Sequence, residues 1–110
     1  MVIMVLLFTR KIFKKKISLS YIMNKILVEF VGTLFFLYVI ITTGNWLAIG
    51  SALAIAVFLG GPISGGNFNP AVTIMMVAAG KQPKSELVPF ILAQTAGGLA
   101  ALELSKLIKF

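Results

Sequence analysis

Gly60-Gly61-Pro62-Ile63-Ser64-Gly65-Gly66-Asn67-Phe68-Asn69-Pro70-Ala71-Val72-Thr73, followed by Ile74-Met75-Met76-Val77-Ala78-Ala79-Gly80, decides how this chain folds. A glycine-dense irregular loop runs into an Asn-Pro start. Asn69 suits a helix N-cap, Pro70 the first helical position and Gly80 the C-terminal stop. The helix between them has about ten residues, roughly 15 Å, or half the hydrocarbon core of a bilayer. It is apolar all round, so it does not lie free in water. An apolar half-length helix entered through a glycine-rich loop reads as a re-entrant segment over 63–80. Unpaired loop carbonyls at that depth are tolerated only where protein or a water-filled cavity meets them, which points to a pore.

The flanking sequence agrees. Ile26 to Thr43 is apolar except for Glu29, with Lys25 before it and Gly44-Asn45 after it. That is close to the length of a transmembrane helix and predicts a first span over 25–43. Trp46 continues apolar after a very short turn, so a second span over 46–62 returns antiparallel. A third covers 86–106, with Pro89 in its first turn, where a missing N–H costs little. Trp46 and Tyr38 are suited to the membrane interface. Small residues recur every fourth position as Ala48, Ala52, Ala56 and Gly60, and again as Ala93, Gly97 and Ala101. Such stripes let helix backbones approach closely in lipid, and with Gly32 they are the candidate packing positions of a tight bundle.

Composition sets the same solvent. Of 110 residues, 59% are hydrophobic and only 12% charged, and the mean hydropathy is +1.03. This leaves too little polar surface to coat a soluble globule. With no Cys, no His and only three side-chain acids (Glu29, Glu86 and Glu103), imidazole or thiolate metal sites and Ser-His-Asp or Cys-His catalysis are excluded. The inventory points away from an enzyme, and no metal or cofactor is called for. The net charge of +7 is concentrated in Arg10, Lys11, Lys14, Lys15 and Lys16; from Met23 onward five lysines face three glutamates. It is therefore no sign of a nucleic-acid face. Residues 1–22 form a leader, apolar over Met1–Phe8 and then basic, the reverse order of a secretory signal. It reads either as a juxtamembrane segment that binds anionic lipid or as upstream sequence, with Met23 the natural start.

At Ser64-Gly65-Gly66-Asn67-Phe68-Asn69-Pro70-Ala71-Val72-Thr73 the chain resembles the first signature loop of the aquaporins, the major intrinsic protein channels. Glu29-Phe30-Val31-Gly32-Thr33 is similar to the opening of the family's first helix, and Gln94 with Gly97-Gly98 to its third. The resemblance runs from Met23 to Leu107. It implies an all-α membrane fold of three spans and one re-entrant half-helix, which is half of the family's six-span architecture. The second Asn-Pro-Ala loop and the arginine after it are missing from this sequence. Asn67 stands where many members carry His. Ile49 stands where an aromatic residue often narrows the path.

Roles follow for individual residues. If the Asn69 carbonyl oxygen caps the half-helix, its amide NH2 is left as a fixed donor in the lumen, beside about +0.5 charge from the helix dipole. The alternative is an ordinary N-cap beside a turn. Pro70 and Ala71 complete the motif. The carbonyls of Gly65, Gly66, Asn67 and Phe68 form an acceptor ladder for water, unless the glycines merely permit a tight turn. The resemblance implies that Glu29 accepts loop N–H groups, with Gln94 supporting the loop; the rival role for Glu29 is a proton-relay acid. Phe36 shares a helical face with Glu29 and lines the lumen, faces lipid or packs in the core. Ile49 sets the constriction. Glu103 reads as an interfacial or packing residue, and Lys81, Lys84, Lys106 and Lys109 as topology anchors.

The sequence thus predicts a channel subunit passing water or small neutral solutes, its partners the lipid bilayer, the solute and a second half. Counting from Met23, Lys25, Lys81 and Lys84 on one side face Lys106 and Lys109 on the other, a small bias that permits both orientations and hence an antiparallel homodimer. The leader's five charges raise the bias to eight against two and fix one orientation. The competing reading is an interaction protein, a half-channel that associates with a full-length relative; a membrane-disrupting protein of holin type and a truncated reading frame are weaker rivals.

Overall fold

The computed structural model describes residues 1–108. Four α-helices follow in order: α1 (Val2–Thr43), α2 (Trp46–Ser64), α3 (Pro70–Ala78) and α4 (Leu87–Leu107), with a 3₁₀ turn at Lys84–Glu86 before α4. Among the described residues there is no strand. Three of these helices, α1, α2 and the Lys84–Leu107 unit, are long and apolar enough to cross a membrane. The fourth, α3, has nine residues and cannot.

Local chemistry fixes each boundary. Gly44, at φ +57°, ends α1 by donating its N–H to the Ile40 carbonyl at 3.1 Å. Asn45 then starts α2, its Oδ1 accepting the N–H groups of Leu47 at 3.0 Å and Ala48 at 2.9 Å. A side-chain oxygen thus meets helix donors that lipid could not satisfy. Asn69 caps α3 in the same way, accepting Ala71 N–H at 2.8 Å, with Pro70 at the first position. Gly80, at φ +73°, closes α3: its N–H reaches Val77 O at 3.0 Å and Lys81 N–H reaches Met76 O at 2.9 Å. This is the glycine-based stop of a Schellman motif.

Two boundaries differ from expectation. Residues 1–22 are not a separate element, because α1 runs unbroken from Val2 for 42 residues. No glycine or proline lies between Val2 and Gly32, so nothing interrupts the helical ladder at Met23. Helix α2 also continues past Pro62 to Ser64. One proline removes a single backbone bond, and the turn it sits in needs no more than that. The irregular loop is therefore only 65–69. Lys109, read as an anchor, lies outside the described residues.

Helix α1 packs against both α2 and α4, and α3 against α4. Both small-residue stripes are at the contacts. Ala52, Ala56 and Gly60 on α2 are buried, as are Ala93, Gly97 and Ala101 on α4, while Ala48 is half-buried. A methyl group on Gly97 would stand 2.7 Å from the Phe30 carbonyl oxygen, so α1 and α4 touch backbone to backbone there. Gly32 and Gly60 both leave room for the Phe68 ring, which is fully buried. The opposite faces are apolar and exposed, Phe58 at 80% among them. That is a surface for acyl chains.

Candidate functional site

Glu29 is the centre of the polar interior. It is 0% exposed, on the face of α1 that also buries Thr33, and no cation among the described residues pairs with it. Four donors satisfy it instead. Oε2 accepts Ser64 Oγ at 2.7 Å and Asn67 N–H at 3.1 Å; Oε1 accepts Phe68 N–H at 2.8 Å and Gln94 Nε2 at 2.7 Å. Four bonds match the acceptor capacity of a carboxylate. Since hydrogen bonds to charged groups are shorter and stronger than neutral ones, the acid holds the loop firmly.

A second hub lies one turn into α3. Thr73, fully buried, accepts Gln94 Nε2 at 2.8 Å and Asn67 Nδ2 at 3.0 Å on its hydroxyl, which donates to the Asn69 carbonyl at 3.2 Å. Gly66 N–H is taken by Ser64 Oγ at 3.1 Å. Every N–H from Gly66 to Phe68 thus points at a side-chain oxygen. The backbone reaches this shape through positive φ at Gly65 (+95°), Gly66 (+65°) and, more unusually, Phe68 (+53°). A phenylalanine in that region is strained. Burial of its ring against Gly32 and Gly60, and its N–H on Glu29, hold it there.

With the N–H side tied down, the carbonyls of Gly65, Gly66, Asn67 and Phe68 accept no hydrogen bond among the described residues. The Asn69 side chain is exposed; its Oδ1 is spent on the cap and its Nδ2 has no protein acceptor there. Asn69, Pro70, Phe68, Gln94 and Phe36 all line one groove of about 500 Å³ between α1 and α4. Ala71 is exposed beside them. Ile49 is not in this group. It sits in the first turn of α2, fifteen residues before Ser64, which puts it roughly 22 Å along the helix from the loop.

Sequence reasoning missed the outer part of the network. Asn67 Nδ2 also donates to Gln82 Oε1 at 2.8 Å, and Gln82 Nε2 to Glu86 Oε1 at 3.2 Å. Lys25 Nζ then meets both Glu86 oxygens, at 3.0 and 2.8 Å, with side-chain exposures of 14% and 9%. Lys25 also lies 5.2 Å from the Tyr21 ring centre and 5.9 Å from that of Phe90. A scarce acid at the mouth of an apolar helix was the available signal for Glu86. For Gln82 there was none. Glu103, by contrast, is exposed and paired with Lys106 at 3.0 Å, as an interfacial residue would be.

Residues 42–109 match the family described as Major intrinsic protein. The chain is 38% identical over 88 residues to Glycerol uptake facilitator protein-like 6 of Lactiplantibacillus plantarum, covering 72% of this chain and 41% of that protein. It is 36% identical over 98 residues to the Glycerol uptake facilitator protein of Streptococcus pneumoniae, covering 70% and 40%. To Aquaglyceroporin AqpS of Rhizobium meliloti it is 34% identical over 64 residues, covering 58% and 28%. The chain spans less than half the length of these relatives. No solved structure matches it significantly.

Proposed function

The chain belongs to the major intrinsic protein family, an integral multi-pass membrane protein, and from that premise we propose that it is half of a channel for small neutral solutes and water, completed by a second, inverted copy. The observation that carries this is the loop at 65–69. The N–H groups of Gly66, Asn67 and Phe68 are consumed by Ser64 and Glu29, and the carbonyls of Gly65, Gly66, Asn67 and Phe68, which precede the Asn69 amide, accept no hydrogen bond among the described residues. A file of acceptors closed by a donor is what a neutral hydrogen-bonding solute needs to shed its water stepwise. The positive end of α3 at Asn69 opposes cations and protons at the same point. No covalent step enters. The relatives named for glycerol uptake support a small neutral solute.

The groove beyond Asn69 supports the second copy. Helix α3 fills the space beside α4 over only half its length, and the rest, walled by Leu37, Ile40 and Leu99, stays open. Thr33 and Gln94 are among the residues of that groove, and their Oγ1 and Oε1 atoms are buried without a partner among the described residues.

Orientation tests the arrangement. The chain has no cysteine of its own, so Lys84→Cys can be labelled cleanly in intact cells with a membrane-impermeant maleimide. A form starting at Met23 should label from both sides; the full chain, with five more positive charges, from one. One-sided labelling of both forms contradicts the homodimer and transfers the second half to a separate protein, such as a full-length relative.

A further inference from the structure

We propose that the groove between α1 and α2 binds an anionic phospholipid of the bilayer, one acyl chain lying along it and the headgroup meeting Lys81 at its mouth. The groove measures about 540 Å³ and is walled by Leu27, Val31 and Phe35 on α1 and by Ile55, Leu59 and Ile63 on α2. Every residue that lines it has an apolar side chain or none. A polar group inside would lose its hydrogen bonds to water and find no side-chain partner, so hydrocarbon is what fits. The volume holds roughly eighteen water-sized groups at about 30 Å³ each, and a methylene is of that size. From Leu27 to Phe35 is roughly 12 Å of helix, close to the hydrocarbon depth of one leaflet, about 15 Å. A single chain entering from one face has those dimensions. A spanning helix of a second copy would need the full core of about 30 Å. The Phe68 ring, seated between Gly32 and Gly60, belongs to the same lining. The acyl chain therefore packs on the residue whose N–H the Glu29 carboxylate holds.

Charge at the mouth selects the headgroup. Ile63 lines both the groove and a recess that holds Lys25, Lys81 and Glu86. Lys25 is spent on Glu86. Lys81 is exposed and has no hydrogen bond or ion pair among the described residues, and Lys84 follows three residues later. The remaining acids are elsewhere: Glu29 is enclosed by the loop, and Glu103 pairs with Lys106 at the far end of α4. Three lysines thus face one glutamate at this end of the bundle. Helix α1 adds to the excess, since Lys16 begins a run of five cations nine residues beyond Lys25, roughly 13 Å along the axis. An anionic headgroup is drawn to that field and a zwitterionic one is not.

The full chain, extracted in mild detergent from bilayers of equal phosphatidylglycerol and phosphatidylcholine with identical acyl chains, is read by native mass spectrometry for the lipid it keeps. Wild type should retain phosphatidylglycerol in preference to phosphatidylcholine. Val31→Trp and, from the other wall, Leu59→Trp fill the groove from exposed positions and should abolish retention of both lipids. Leu92→Trp, exposed on α4 and outside the groove, should retain them as wild type does. Lys81→Gln should lower the preference for phosphatidylglycerol about fivefold, the effect of one lysine near an anionic surface. Lys81→Arg should keep it, and so should Lys106→Gln, which removes the same charge at the other end of α4. Equal retention by wild type and both groove-filling variants overturns the site, and so does equal retention of the two lipids by wild type. A lipid-free dimer that Val31→Trp splits would give the groove to a second copy and likewise overturn the proposal. No flux enters the measurement, so the channel reading is tested apart from it.

Discussion

Glu29→Leu should abolish conduction while leaving insertion intact. The substitution strips the acceptor from four donors at once: Ser64 Oγ, the Asn67 and Phe68 N–H groups, and Gln94 Nε2. Each buried donor left unpaired costs about 1–3 kcal/mol, so the local loss is on the order of 4–12 kcal/mol. Among the described residues, Ser64, Thr73 and Glu86 take part in three side-chain hydrogen bonds each, against four for Glu29. The strained Phe68 would lose its tether, the loop would leave its extended path, and the carbonyl row would break up. Insertion should not suffer, since α1 becomes more apolar. Glu29→Gln is the informative comparison. It retains one oxygen for two of the donors and sets an NH2 against the other two, so its permeability should fall between wild type and Leu. A proton-relay acid predicts something different: a proton flux in wild type that both substitutions remove equally. Stopped-flow water permeability beside a pH-dye leak assay, in liposomes of the two variants, separates the roles.

Asn69→Asp should preserve the fold and change what passes. Its carboxylate can still accept Ala71 N–H, and a negative charge at a helix N-terminus is favourable. The change falls on the other atom. Nδ2, a donor with no acceptor among the described residues, becomes an anionic oxygen at an exposed position beside the groove. Neutral solutes lose the donor that receives them at the end of the acceptor row, and cations gain an attractive point where the dipole alone opposed them. We expect water and glycerol permeability to fall tenfold or more and a cation or proton leak to appear. Unchanged water, solute and proton fluxes in a conducting preparation would remove Asn69 from the pathway.

How far the sequence carries depends on the range of each interaction. Helix α3 is legible because its caps are local: Asn69, Pro70 and Gly80 act within a turn of their own positions. The small-residue stripes on α2 and α4 are legible because helical periodicity maps spacing directly onto a face. Continuity of α1 through the leader is not, since charge and composition suggest a boundary where helix propensity supplies none. Nor is the persistence of α2 past Pro62. The polar network divides in the same way. The pairing of Glu29 with the loop comes from family resemblance, because no spacing rule connects residue 29 with 67 and 68. The path from Asn67 through Gln82 to the Lys25–Glu86 pair joins four segments that meet only in the packed bundle, and a lone Gln between Lys81 and Pro83 carries no pattern at all.

The central claim is that copies of this chain alone enclose a pore. It is tested most directly by reconstituting the purified chain, as the sole protein, into liposomes and measuring water and glycerol permeability together with its mass in the same preparation. Detergent-mediated reconstitution lets both orientations meet whatever bias the leader imposes in cells. Permeability to both solutes should rise, with a smallest conducting unit of twice the 11.9 kDa chain. Permeability at the level of empty liposomes from a stable, folded preparation, appearing only when a full-length relative is added, would contradict it.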